Sequence, residues 1–209
     1  MAIKNNREYR MIQLPQMQFR AMQEESEEPN YRVEGYATTY DEPYTLFHYD
    51  GIDYKEQISR DALAGADMSD VIFLYNHEGM VFARQSNGTL TLESNEHGLH
   101  VVADLSSTEA SRQMYESIKA GLVTQMSWAF TIADGGDSYD EKTHTRSINS
   151  VSKIFDVSCV SIPANPSTDI AARSFFDGVI EKEQAERLER EAKKAELREL
   201  LKGVKSDEH

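Results

Sequence analysis

Three segments of the sequence carry side chains that together could supply a nucleophile, a base and an orienting acid. His77 follows an asparagine, Ser127 follows a methionine, and Asp156 precedes a valine and a serine. A serine hydroxyl is a weak nucleophile, so hydrolysis needs an imidazole to accept its proton and a third group to hold that imidazole in the right tautomer. The three residues fit the roles of base, nucleophile and orienting acid. They lie far apart in the sequence, so only the fold can bring them together.

Each of these residues also has a simpler structural explanation. A serine on a strand is usually a polar position, and a histidine at a strand end usually lies at the surface. Asp156 can be a buried acid that is hydrogen-bonded to the backbone. His144, in polar, loop-like surroundings, is an alternative third member. His97 and His100 flank a turn, so a metal site is not expected there, and without a nucleotide-binding motif the sequence implies no cofactor.

Composition excludes several classes of partner. The 209 residues can bury one substantial core, and a net charge of −14 disfavours contact with nucleic acid or anionic membranes. The single cysteine, Cys159, lies in an apolar run, which predicts a buried thiol and a reducing compartment rather than a nucleophile. No window approaches the ~18 apolar residues of a membrane span. We therefore expect a soluble, cytoplasmic protein of one domain with tails.

Alternating hydrophobicity predicts several strands. The β-prone runs 9–19 and 31–40 are separated by the acidic stretch 24–30, which is expected to be a loop. The alternation in 90–92 and in 99–105, around a turn, predicts a half-buried β-hairpin.

A helix and two strands are predicted around the candidate residues. Thr108 or a neighbouring serine caps a helix with Ala110, Met114 and Ile118 on one stripe, and Gly121 ends it. The next strand, 122–132, places Leu122 and its bulky apolar residues on one face and Ser127 on the other.

The second of these strands carries the candidate acid. A polar loop, 134–145, leads to an apolar strand that places Asp156 opposite Val157 and Cys159. This strand is expected to end at the prolines of Pro163–Pro166.

The C-terminal part of the chain is predicted to be a charged helix. Beyond about Phe175, acidic residues precede basic ones by four positions, for example Glu186 and Arg190, which favours a solvated or partner-binding helix. We therefore assign residues 1–175 to the folded domain and residues 176–209 to a charged helical tail.

Five segments occur in an order that resembles the prohead maturation proteases of tailed bacteriophages. The resemblance covers the chain from about Tyr31 to Pro166. The segments are Val33–Ala37, Leu74–Glu78, Gly98–Val101, Gly121 leading to Met126–Ser127, and Asp156–Ser158 leading to Pro163–Pro166.

The resemblance implies a fold, an activity and a setting. The fold would be α+β, a mainly antiparallel β-barrel with surrounding helices like that of the herpesvirus assemblins, and the charged C-terminal helix would follow it. The activity would be that of a serine endopeptidase that cleaves capsid and scaffold proteins, and itself, inside the assembling prohead in the host cytoplasm. Its partners would be the major capsid protein and its scaffold segment. A homodimer or a higher oligomer stays open.

The resemblance also assigns the site residues by motif. His77 matches the histidine of the family's asparagine–histidine segment, and Ser127 matches the serine after methionine. Asp156 stands where the family usually has glutamate, and Trp128 and Ala129 replace the smaller residues that commonly follow the serine. Because the herpesvirus relatives use a second histidine as third member, His144 remains an alternative to Asp156.

Two other classes of function remain. An internal scaffolding protein of the prohead could keep the fold without the chemistry, although His77 and Ser127 weigh against this. A small β-barrel binding module fits the composition but not the order of the five segments.

Overall fold

The computed structural model describes residues 7–11, 20–22, 30–160 and 170–206, and strands dominate this part of the chain. The helices are α1 (Glu109–Lys119) and α2 (Ile170–Ser206). The strands are β1 (Glu8–Met11), β2 (Arg20–Ala21), β3 (Arg32–Thr39), β4 (Tyr44–Tyr49), β5 (Ile52–Ile58), β6 (Ile72–Tyr75), β7 (Glu78–Arg84), β8 (Leu90–Ser94), β9 (Gly98–Asp104), β10 (Gln125–Ile132), β11 (Asp137–Asp140), β12 (Thr145–Ile148) and β13 (Val151–Val160). The predicted α+β class is confirmed.

The described strands form three open sheets. Their strand orders are β1-β10-β13-β6-β7, β11-β12-β5-β4 and β2-β3-β9-β8. Most neighbours are antiparallel, but β13 pairs with β6 and β12 pairs with β5 in parallel. No sheet closes on itself among the described residues, so the expectation of a closed barrel is wrong for this part of the chain. The relation to the assemblins stays a prediction.

The core holds β10 in place through its apolar face. Trp128 and Phe130 are fully buried, and their rings stack at 4.0 Å between centroids. Burial of a large apolar side chain stabilises the fold by about 1.5–3 kcal/mol. Because side chains alternate along a strand, this anchoring fixes Ser127 on the opposite face, as the sequence predicts.

Helix α1 begins and ends where the sequence predicts. The Thr108 side chain accepts a hydrogen bond from the amide of Ser111 at 3.0 Å, and Gly121 has a left-handed φ of 72° after the last turn. The buried residues of α1 are Ser111, Tyr115 and Ile118. Ile118 belongs to the predicted stripe, whereas the other two each lie one position after a predicted residue. The next strand, β10, begins at Gln125, although the sequence predicted a start at Leu122. Leu122 was predicted to lie on the apolar face of this strand, but it precedes the strand and is 72% exposed.

Other predicted elements are confirmed in part. The hairpin of β8 and β9 forms with Leu92 opposite Val101. The predicted loop 134–145 instead contains β11, which pairs with β12. The hydrophobic pattern of the sequence does not predict β4 and β5. Residues 12–19, most of the acidic stretch and Pro163–Pro166 lie outside the described residues.

Helix α2 is the predicted charged helix, and it begins a few residues earlier than the pattern indicated, at Ile170. Two of the predicted pairs form: Lys193 with Glu189 at 2.6 Å and Arg190 with Glu186 at 3.9 Å. The domain boundary between residues 175 and 176 stays a prediction. Neither described helix has the length and apolar character to span a bilayer.

Candidate active site

His77 lies in a two-residue turn that joins β6 to β7. Tyr75 pairs with Glu78 across the hairpin, and the two residues between them have positive φ angles, 51° at Asn76 and 60° at His77. Positive φ at both central positions is the hallmark of a type I′ hairpin turn, and asparagine and histidine enter this region more readily than most residues. The Asn76 amide donates to the Cys159 carbonyl at 3.0 Å. The turn is thereby tied to the end of β13.

Ser127 and Asp156 lie on adjacent antiparallel strands. In the register of β10 and β13, Ser127 is opposite Ser158, and Asp156 is opposite Ala129. Residues two apart on a strand face the same side, and directly opposed residues share a face. The register therefore gathers Ser127, Ser158 and Asp156 on one side of the sheet. Ser127 is 1% exposed and Asp156 is 3% exposed.

The imidazole of His77 bridges these two side chains. Its Nδ1 lies 2.6 Å from Asp156 Oδ1, and its Nε2 lies 2.6 Å from Ser127 Oγ. With its Nδ1 proton donated to the carboxylate, the ring presents the Nε2 lone pair to the serine hydroxyl. Serine hydrolases activate a hydroxyl with this serine–histidine–carboxylate arrangement.

The structure shows a fourth side chain in this cluster, which the sequence motifs did not predict. The buried Ser158 Oγ donates to Asp156 Oδ1 at 2.8 Å and lies 3.2 Å from His77 Nδ1. The signal was available in the sequence, because Ser158 follows Asp156 by two positions and so shares its face. Ser158 positions the carboxylate against the imidazole.

Replacing Ser158 with alanine is expected to lower kcat about tenfold while leaving KM unchanged. A hydrogen bond to a charged group contributes about 1.5–3 kcal/mol, and each 1.36 kcal/mol is a factor of ten in rate. Steady-state kinetics on a peptide substrate measures the split between kcat and KM. The Ser158→Thr variant keeps the hydroxyl and should recover most of the rate, whereas equal losses in both variants would contradict the positioning role.

His144 lies elsewhere in the fold. It precedes β12 in the sheet β11-β12-β5-β4, its Nδ1 is 3.1 Å from the Tyr139 hydroxyl, and its ring packs against Tyr54. The Nδ1 of His77, where a third member would bind, faces Asp156. The geometry therefore favours Asp156 over His144.

Cys159 neighbours the site in sequence but faces away from it. The thiol is fully buried, donates to the Leu74 carbonyl at 3.5 Å and lies 3.6 Å from Met114 Sδ. Burial raises the pKa of the Cys159 thiol to about 12. A thiol that stays protonated at neutral pH is a poor nucleophile, as the sequence predicts.

Strand β1 also contacts the candidate residues, which no local sequence pattern predicts. Ser127 Oγ lies 3.0 Å from the Arg10 carbonyl oxygen, to which it can donate. The Tyr9 ring packs edge-on against the His77 imidazole, with 4.8 Å between centroids.

The chain matches a known protein family. Residues 17–199 match the family described as caudovirus prohead serine protease. Because the match covers most of the 209 residues, the chain belongs to this family, as the five segments indicated. It is a serine peptidase of bacteriophage capsid maturation, which acts within the assembling prohead in the host cell and interacts with capsid proteins. No curated protein and no solved structure matches the chain.

Proposed function

We propose that Ser127, His77 and Asp156 are the catalytic residues of this peptidase and that its substrates are the major capsid protein and its scaffold segment. The observation that carries the assignment is the imidazole of His77, which is within hydrogen-bonding distance of the serine hydroxyl and of the carboxylate at once. Family membership supports the reaction class and the setting. Self-cleavage and dimerisation stay predictions from the resemblance.

The reaction would pass through an acyl-enzyme. His77 Nε2 accepts the Ser127 proton while Oγ attacks the carbonyl carbon of the scissile bond. The tetrahedral intermediate collapses as His77 passes that proton to the leaving amine, and the C–N bond breaks. Water then attacks the ester, again with His77 as base, and releases the new carboxylate. Asp156 keeps Nδ1 protonated and stabilises the imidazolium at each proton transfer.

Burial strengthens this electrostatic contribution. The Asp156 side chain is 5% exposed and the His77 side chain 16%, so little water screens the carboxylate from the imidazolium. The Ser158 hydroxyl donates to Asp156 Oδ1, the same oxygen that faces His77 Nδ1, and so holds that oxygen against the ring.

The test is co-expression of the chain with its cognate capsid protein, with both proteins measured by intact mass. New capsid termini that appear only when the wild-type chain is present would support the proposal and would identify the cleaved bonds. A full-length capsid protein that co-assembles with a folded wild-type chain would favour the internal scaffolding protein instead.

We also propose that α2 carries the enzyme into the assembling shell by pairing with a helical scaffold segment. Leu188 and Leu197 on this helix are 65% and 61% exposed, among side chains such as Glu189 and Lys193 that form ion pairs along it. Leu188 and Leu197 are nine positions apart, which places them on opposite sides of the helix, and each can be buried against a partner helix.

Deletion of residues 177–209 is therefore expected to remove the protease from isolated proheads. Peptide cleavage by the shortened chain should persist. Mass spectrometry of purified proheads measures packaging, and a chain with Leu188→Gln and Leu197→Gln provides the matched full-length variant. Undiminished packaging of the shortened chain would contradict the delivery role.

A further inference from the structure

Strand β1 pairs with β10, the strand that carries Ser127, along the side that β13 does not cover. β10 has β13 on one side and β1 on the other, with Met11 opposite Ser127 and Tyr9 opposite Ala129. An extended peptide that binds a sheet edge adds to it as such a strand. Because Ser127 is only 1% exposed with β1 in place, a substrate cannot reach its hydroxyl until this strand moves.

The backbone of β1 lies where a substrate backbone must lie. The carbonyl oxygen of Arg10 is 3.0 Å from Ser127 Oγ, and the preceding residue, Tyr9, covers the His77 ring. A serine hydroxyl has one proton, so while that proton is donated to the Arg10 carbonyl it is not donated to His77 Nε2. Strand β1 therefore resembles a bound peptide, and it keeps the Ser127 hydroxyl from donating its proton to His77.

The Arg10 side chain lies on the other face of β1, in a buried acidic site. Arg10 Nη2 lies 2.9 Å from Glu56 Oε2, and the Tyr44 hydroxyl donates to Glu56 Oε1 at 2.6 Å. Glu56 is fully buried and Arg10 is 2% exposed. Burial is the largest single influence on the pKa of the Glu56 carboxyl and raises it, but the Arg10 and Arg146 guanidinium groups and the Tyr44 hydroxyl together leave that pKa below its ordinary value. Glu56 is therefore ionised.

If β1 left the cleft, the charges that remain there would favour a basic side chain in the place of Arg10. Arg146 pairs with Asp137 at 2.7 Å and reaches Glu56 at 3.5 Å. Without β1, the carboxylates of Asp137 and Glu56 face the single guanidinium of Arg146, which leaves a net negative charge at the site. The planar fork of an arginine side chain fits a carboxylate better than other cations do.

The N-terminal strand also lies outside the part of the chain that defines the family. The family match begins at residue 17, whereas β1 spans Glu8–Met11. Glu56 and Arg146, which enclose the arginine, lie within the matched region. The site is thus built by the protease itself and filled by a segment that precedes it.

We propose that β1 is an in-chain occupant of the substrate cleft and that Glu56 selects an arginine immediately before the cleaved bond. This inference rests on the proposed function, since it takes Ser127 as the nucleophile. The substrates would be extended segments that add to the edge of β10. Glu8, which pairs with Arg146 at 3.3 Å, indicates a further preference for an acidic residue two positions before the arginine.

The experiment measures how fast a serine-directed fluorophosphonate labels Ser127 in the full-length chain. Arg10→Ala should raise the labelling rate at least about tenfold, because the strand loses its anchor and the open state becomes more populated. Arg20→Ala is the matched control, since Arg20 is 74% exposed and its ion pair with Glu34 lies on another sheet. If Arg10→Ala does not fold, Tyr9→Ala replaces it, because Tyr9 is 39% exposed.

Selection of arginine is tested with the Arg10→Ala chain, or with the Tyr9→Ala chain that replaces it, which we call the opened variant. A peptide that binds its cleft should protect Ser127 from the probe. A synthetic peptide spanning residues 7–14 should restore slow labelling, and the same peptide with Arg10→Gln should protect at least about tenfold less. Glu56→Gln in the opened variant should remove this difference between the peptides. Equal labelling of the wild-type and opened chains, or equal protection by both peptides, would overturn the inference.

Cleavage products separate this inference from the proposed function. Capsid bonds that are cut after arginine support both. Capsid protein that the wild-type chain cuts after other residues would overturn the arginine site while leaving the peptidase assignment intact. If Ser127 reacts with the probe in no folded variant and the capsid protein stays full-length, the proposed function fails, and the inference fails with it.

Discussion

Replacing Ser127 with alanine is expected to abolish truncation of the capsid protein, with kcat lowered by at least about 10⁴-fold. The substitution removes the atom that lies 2.6 Å from His77 Nε2, so no covalent intermediate can form. Alanine fits the space that serine occupies, and the apolar face of β10 is untouched. The melting temperature should therefore change by only a few degrees. Intact mass of the co-expressed capsid protein measures the first effect, and thermal unfolding measures the second.

Ser152→Ala is the matched control for this variant. Ser152 lies on β13 and is exposed, and its hydroxyl is hydrogen-bonded to Thr131 rather than to the candidate residues. The control should cut the capsid protein at the wild-type rate. Normal truncation by a folded Ser127→Ala chain would mean that another residue is the nucleophile.

Replacing Asp156 with asparagine is expected to lower kcat by about 10⁴-fold, with little change in KM. The neutral amide cannot stabilise the imidazolium, and it can donate to Nδ1 and so favour the wrong tautomer of His77. The carboxylate is 2.6 Å from Nδ1 and receives the Ser158 hydroxyl at 2.8 Å, so both partners lose a charged acceptor. Peptide kinetics over a range of substrate concentrations separates the two constants.

Two further variants define what the Asp156 result means. Asp156→Glu carries the residue that the family usually has, but here the aspartate already reaches the imidazole, so the extra methylene should lower the rate. Asp67→Asn is the control, because Asp67 is an exposed acid whose partner is Lys153. A rate within tenfold of wild type for Asp156→Asn would point to another third member, such as His144.

Much of the local structure could be predicted because it depends on neighbouring residues. The cap at Thr108, the left-handed Gly121 and the hairpin of β8 and β9 follow from short patterns, and the structure has all three. Alternation along β10 likewise predicts that Ser127 faces away from Trp128. The buried face of α1 and the first residue of β10 differ from the prediction, because tertiary packing selects which apolar residues are buried.

Other elements could not be predicted because long-range pairing decides them. The β4–β5 hairpin has Glu56 facing a guanidinium that is 46 residues away in the chain, and no local pattern marks such a position. Whether sheets close into a barrel likewise depends on how the end strands pair. The resemblance implied closure, whereas the described sheets are open.

The sequence by itself determined which residue types are available for the chemistry, the faces on which Ser127 and Asp156 lie, and, through five ordered segments, the family. Only the tertiary structure decided that His77, Ser127 and Asp156 meet. Their meeting requires the antiparallel register of β10 with β13, the parallel pairing of β13 with β6, and a turn with two positive φ angles. Each of these joins residues that are distant in the chain or sets a backbone conformation that residue types alone do not specify.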